Sequence, residues 1–232
     1  CMVTASAVAC LMHVAVYLRN NFSFFMPDSE TFRSFGVMMW NFIPYVVSLS
    51  IVEVNFMIDL RFTSFLPPGS ISMIRYAFRF IGIPLGVLVA SFATVLLTHF
   101  ARIGAENEKE LSFNLFEAIK FIVWIIVPII FIMGLVSQEI FSTLYSNGPE
   151  MVEKVMATRT IFLVFLSGLM SFSLNRILLN VFYALQMSVM PFVVSISSVV
   201  MNYFMNKQLM IWYGAPGIAA ASALAATMQM LV

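Results

Sequence analysis

The chain has 232 residues, of which 61% are hydrophobic and only 10% charged, and its net charge is +1. An ordinary soluble domain carries about 25% charged residues. A chain this poor in charge cannot cover a water-facing surface, which excludes a soluble enzyme, and the mean hydropathy of +0.97 fits lipid as the solvent. Twelve basic residues stand against eleven acidic ones, which excludes the concentrated basic patch that a nucleic-acid partner requires.

A helix that spans a bilayer needs about 20 mostly apolar residues. Segments 1–18, 36–64, 71–99, 114–137, 155–184, 187–211 and 215–232 meet or approach that length. The expected fold class is therefore all-α, a polytopic transmembrane bundle of about seven spanning helices. The chain opens at Cys1 inside one apolar run and stops at Val232 inside another, the pattern expected of an internal stretch of a longer membrane protein. Cys1 and Cys10 read as small apolar residues, not as a disulfide.

Residues 19–35 contain Pro27, Asp28 and Glu30 and read as a linker. The second segment carries Glu53, Asp59 and Arg61. Ionisable groups within a bilayer cost roughly 2.5–3.5 kcal/mol each, so they call for partners, water or a function. At helical spacing Glu53 and Asp59 are about 120° apart, and Arg61 is nearly opposite Asp59. Asp59 therefore needs a partner from another helix, either an arginine or a cation held by oxygen ligands. Glu53 reads as paired with a helix outside the chain.

Pro67-Pro68-Gly69-Ser70 is a tight turn, with Ser70 expected to cap the next helix. In that helix Arg75 and Arg79 are four residues apart and share a face, which at helical spacing continues through Gly82, Gly86, Ala90 and Ala93. One reading is the wall of an anion-accepting cavity, since arginine's fork can bind two phosphate oxygens at once. The other is a close-packing glycine patch with a proline kink, and an Arg75 that snorkels to the interface.

Residues 101–110 form a charged loop, and Ser146-Asn147-Gly148-Pro149 and Gly214-Ala215-Pro216-Gly217 form turns. Arg176 in the fifth segment belongs either to a cavity or to an interface. In the sixth, Asn202 and Asn206 share a face, and in the seventh Ser222 sits in a run of small residues. Amide and hydroxyl oxygens with one carboxylate are the ingredients of a monovalent-cation site. Interhelical hydrogen bonding explains the same residues. The basic residues Arg19, Arg33, Arg102 and Lys109 place connections 19–34 and 101–112 on the cytoplasmic side. His13 and His99 have no companion at metal-ligand spacing, and no nucleophile–base pair appears, so no catalytic residue is assigned.

Ile58-Asp59-Leu60, then Ser64-Phe65-Leu66-Pro67-Pro68-Gly69-Ser70-Ile71-Ser72, Tyr76-Ala77-Phe78-Arg79-Phe80, Pro84-Leu85-Gly86 and Ala93-Thr94-Val95-Leu96-Leu97 follow one another in order. The series resembles the MurJ (MviN) lipid II flippases of the MOP exporter superfamily, whose pattern runs "ASFLPPGSIS", "YADRL", "PLG" and "ATVLLP". Val181-Phe182-Tyr183-Ala184-Leu185-Gln186 is similar to the family's "FYALQDTKTP". The resemblance covers the chain from about Val14 to its end.

It implies a fourteen-helix fold in two lobes. Residues 1–18 would be the last helix of the first lobe, 19–35 the cytoplasmic inter-lobe linker, and 36–232 helices seven to twelve of the second lobe. It implies alternating-access transport of the undecaprenyl-pyrophosphate-linked peptidoglycan precursor, lipid II, across the bacterial inner membrane. Lipid II, membrane lipids and the absent N-terminal lobe would be the partners, with no nucleic acid. Arg79, with Arg75 beside it, would meet the pyrophosphate. Asp59, Asn202, Asn206 and Ser222 fall on positions resembling a cation site, so a sodium ion is the one cofactor it allows.

The sequence departs from the pattern at Phe78, where the motif has Asp, at Met187–Pro191, which lacks the family's charges, and at Thr98, where proline is usual. Without the first lobe, this chain alone is not expected to transport. A related lipid-oligosaccharide flippase, a cation-coupled drug exporter and a non-transporting cell-wall scaffold are the competing readings.

Overall fold

The computed structural model describes residues 2–19, 29–103, 108–145, 151–185, 187 and 189–231. Among them every regular element is helical, as a chain must be when lipid offers its backbone no hydrogen-bond partner. The described residues form ten α-helices, α1 (Met2–Arg19), α2 (Ser29–Thr63), α3 (Ser70–Pro84), α4 (Ala90–Ile103), α5 (Glu108–Leu135), α6 (Ser137–Leu144), α7 (Met151–Ser167), α8 (Leu169–Ala184), α9 (Val189–Tyr213) and α10 (Ala215–Leu231). A π-helical turn, Leu85–Val89, joins α3 to α4.

Among the described residues three helices are long and apolar enough to cross a membrane, namely Ser70–Ile103, Lys109–Leu135 and Val189–Tyr213. Val152–Ser167 and Leu169–Ala184 qualify as a pair bent by 41°. The long α2 contains a second such pair, and Ala7–Val16 and Ala215–Leu231 are shorter apolar helices. The seven expected segments are thus helical among the described residues, but only three of these form a full-length span without a sharp bend, and one of the three, Ser70–Ile103, contains the π turn.

The chain divides into two compact units, residues 1–40 and 41–232. The first holds α1 and the start of α2, where Cys10 is exposed with a free thiol. Helix α2 begins at Ser29, inside the stretch expected to be linker. The turn at 146–149 lies outside the described residues.

In the second unit α3 packs on α7, α4 on α8, and α10 on α7, α8 and above all α9. Ile74, Ala77 and Ile81 of α3, Phe162, Phe165 and Leu169 around the α7–α8 break, and Ile218 and Ala219 of α10 form one buried cluster. Close approach comes from small residues. A Cβ added at Gly168 would sit 2.7 Å from the Ala223 Cβ, so α10 crosses the α7–α8 break in near backbone contact. Gly214, at φ 62°, turns α9 back into α10.

The turn before α3 uses Gly69 at φ 98° as the N-cap. Ser70, expected as the cap, is instead the first helical residue, and its hydroxyl donates to the Pro67 carbonyl at 2.8 Å. Left-handed backbone at this corner favours glycine, and that displaces the cap by one position.

Candidate functional site

Helix α2 brings Asp59 against α9 and α10, with its side chain 1% exposed. Asn206 Nδ2 donates to Asp59 Oδ1 at 2.7 Å and Asn202 Nδ2 donates to the same oxygen at 3.0 Å. Ser222 Oγ donates to Asp59 Oδ2 at 2.5 Å. Four-residue spacing places both amides on one face of α9. The small residues of α10 let Ser222 come within reach. The structure therefore gathers all four residues that the sequence marks as cation-site candidates. Arg61, exposed on α2, takes no part.

Sequence reasoning passed over Asn55. It lies one turn before Asp59 on the same face, and that spacing was the available signal. The Oδ1 atoms of Asn55, Asn202 and Asn206 are buried and have no hydrogen-bond partner. Each such acceptor costs about 1–3 kcal/mol. Beside them lies a cavity of about 40 Å³ lined by Asn55, Asp59, Phe78, Ser222 and Gln229. One water needs roughly 10–15 Å³, so there is room for a small ion. The Asp59 carboxylate, the Ser222 hydroxyl and the amide oxygen of Asn55 line this space and form a hard-oxygen ligand set, while Asn202 and Asn206 turn their Nδ2 donors to Asp59 and do not line it. The residues present fit a monovalent cation.

Arg75 and Arg79 are both exposed on α3, on the side away from the Ile74–Ala77–Ile81 core face. No carboxylate pairs with either among the described residues. Gly82 and Gly86 extend this open face, and a Cβ at either would meet nothing within 4 Å. The close-packing glycine reading is therefore absent among the described residues.

The face does not continue to Ala90 and Ala93 as helical spacing predicts. Ala93 is 1% exposed. Pro84 lacks an N–H, and the π turn that follows it adds residues to one turn, which rotates everything downstream out of register.

That rotation points Ala90, Ala93 and Thr94 into a second, larger cavity of about 360 Å³. Its polar lining includes Ser48, Glu53, Thr94, Arg176, Tyr183 and Gln229. Tyr183 OH donates to Ser48 Oγ at 2.9 Å, tying α8 to α2. Arg176 is thus a cavity residue. Glu53, expected to pair with a helix outside the chain, lines this cavity too, and both charges are exposed.

Apolar spans, an open arginine face and a buried oxygen cluster between three helices define a multi-pass α-helical membrane protein. Residues 2–232 match the family described as "Lipid II flippase MurJ", and the chain belongs to that family. It is 31% identical over 194 residues to the probable lipid II flippase MurJ of Haemophilus influenzae, covering 81% of this chain and 38% of that protein. Identity to the Thermotoga maritima relative is 27% over 192 residues, covering 83% of this chain and 40% of that protein.

A solved lipid II flippase MurJ in an inward closed conformation superposes with a TM-score of 0.74 at 22% identity, covering 95% of this chain and 46% of that one. An outward-facing multidrug-resistance MATE family transporter of the MOP superfamily superposes with a TM-score of 0.71 at 19% identity, covering 82% and 42%. These superpositions show a shared fold. The chain spans well under half the length of the relatives it matches.

Proposed function

We propose that the whole protein to which this chain contributes moves lipid II from the inner to the outer leaflet of the bacterial cytoplasmic membrane by alternating access. The chain supplies helices of the second lobe, and the first lobe completes the transport cavity. The observation that carries this reading is the Arg79 face. It is a guanidinium two turns into an apolar span, unpaired among the described residues and flanked by Arg75 and two glycines that leave it open. A polyanionic pyrophosphate suits such a face because arginine binds two oxygens at once.

The Asp59 cluster is the proposed cation site, held by Asp59, Asn202, Asn206 and Ser222 with Asn55 as an added oxygen. Sodium bound there would supply a charge whose occupancy favours one conformation over the other. The basic residues around 19–34 and 101–112 support a cytoplasmic position for those connections.

The test replaces Arg79 in the full-length protein in a strain that depends on it. Arg79→Ala abolishes growth while leaving membrane abundance intact, and Arg79→Lys restores it poorly because an ammonium lacks the planar fork. Normal growth of Arg79→Ala would overturn the proposal. The drug-exporter reading, favoured only by the fold, predicts instead that depletion leaves lipid II distribution unchanged.

A further inference from the structure

The larger cavity has a definite place relative to the oxygen cluster. Ile51, Val52, Phe78, Phe172 and Gln229 line both cavities, so the two are neighbours across a thin, largely apolar partition. Phe78 stacks on Phe56 with ring centroids 4.4 Å apart and meets Phe165 edge-on at 5.5 Å, which fixes one leaf of that partition.

The helices alternate in direction, and this assigns the cavity to one side. Its residues come from α2 before Asp59, from the latter part of the Ser70–Ile103 span, from the second half of α8 and from the end of α10. All four ends lie on the side of the 104–107 connection. At 1.5 Å per residue, Ser48 and Gln229 are displaced from Asp59 and Ser222 by roughly 10–16 Å toward that side.

A second observation points the same way. On α9 the buried face one and two turns before Asn202 carries Ser198 and Ser195, whose hydroxyls are buried without partners. Beyond Asn206 the same helix offers Leu209, Met210 and Tyr213. On this buried face the polar line leaves the cluster toward one side only, and it supports the side and not the cavity itself, since no residue of α9 lines either cavity. Uncompensated polar groups at membrane depth mark pathways for ions and water.

We infer that the 360 Å³ cavity is the aqueous passage by which a monovalent cation moves between the Asp59 cluster and the membrane side bearing the 104–107 connection, with Phe78 and Phe172 as its partition. This rests on the cation reading of Asp59. The lining suits passage over storage. Glu53 and Arg176 offset one another, and a path conducts only if it binds an ion weakly enough to release it. Asn55 and Gln229, which line the smaller cavity, offer oxygens at the transfer point.

The experiment follows radioactive sodium on the purified full-length protein, at equilibrium and during release after dilution. Thr94→Phe fills the cavity from an exposed position. It slows release about tenfold and leaves equilibrium affinity within about twofold, because a blocked path raises the barrier equally in both directions. Glu53→Trp obstructs the same space and gives the same result should Thr94→Phe fail to accumulate.

Wild-type release rates in a folded, sodium-binding Thr94→Phe or Glu53→Trp protein would overturn the passage while leaving the cation site intact. Absence of saturable sodium binding in the wild type, or undiminished binding in Asp59→Asn, would overturn the cation site and the passage with it.

Discussion

Asp59 is the residue whose replacement separates a structural cluster from a cation site. It accepts hydrogen bonds from Asn202, Asn206 and Ser222 at 2.5–3.0 Å, and all four residues are buried. Asp59→Ala strands three buried donors. At about 1–3 kcal/mol each the ceiling is about 9 kcal/mol. Ser222 can turn to a carbonyl in its own helix, and each amide keeps a second N–H, so about 3–5 kcal/mol is expected.

Asp59→Asn keeps the shape and one accepting oxygen but opposes an N–H₂ to one donor, at a cost of about 1–2 kcal/mol. It also removes the one ionisable side chain that lines the 40 Å³ cavity among the described residues. Thermal unfolding of the full-length protein in detergent, in sodium against choline salt at equal ionic strength, reads both effects. At sodium one hundred times its Kd the wild type gains about 2.7 kcal/mol. Asp59→Asn gains nothing. A sodium-dependent shift that survives in Asp59→Asn would refute the site. An Asp59→Ala protein as stable as wild type would refute the energetic account of the cluster.

Packing makes further predictions. Gly168→Ala sets a methyl 2.7 Å from the Ala223 Cβ and 3.0 Å from its Cα. Overpacking of this kind costs about 1–3 kcal/mol and lowers the apparent melting temperature. Gly134→Ala is the control, since its added methyl meets only Leu166 and Leu163 side-chain carbons at 3.7 and 3.9 Å, and its melting temperature stays within a degree or two of wild type, in line with a change of about 0.5 kcal/mol. Phe78→Ala removes the Phe56 stack and the Phe165 edge contact. As a half-buried aromatic it costs about 1–3 kcal/mol, measured by the same thermal assay. Equal melting of Gly168→Ala and Gly134→Ala would show that α10 does not approach the α7–α8 break as closely as described.

The sequence by itself determined the solvent, the fold class and the residues of interest. Composition alone requires lipid, and lipid requires helices, because a chain at bilayer depth must satisfy its backbone internally. The ordered block from Asp59 to Leu97 placed the chain within its family. Four-residue spacing paired Asn202 with Asn206 and Arg75 with Arg79, because such pairs depend only on one helix's own geometry.

Contacts between helices, and interruptions within them, were settled only by the tertiary structure. Asp59 meets residues more than 140 positions away, and nothing local encodes that distance. A regular helical wheel carries the arginine face through Ala93, whereas the π turn after Pro84 breaks the register and hands Ala90, Ala93 and Thr94 to the larger cavity. Glu53 and Arg176, on helices far apart in sequence, became lining of one space for the same reason. A cavity is a property of packed helices and has no signature in any single one.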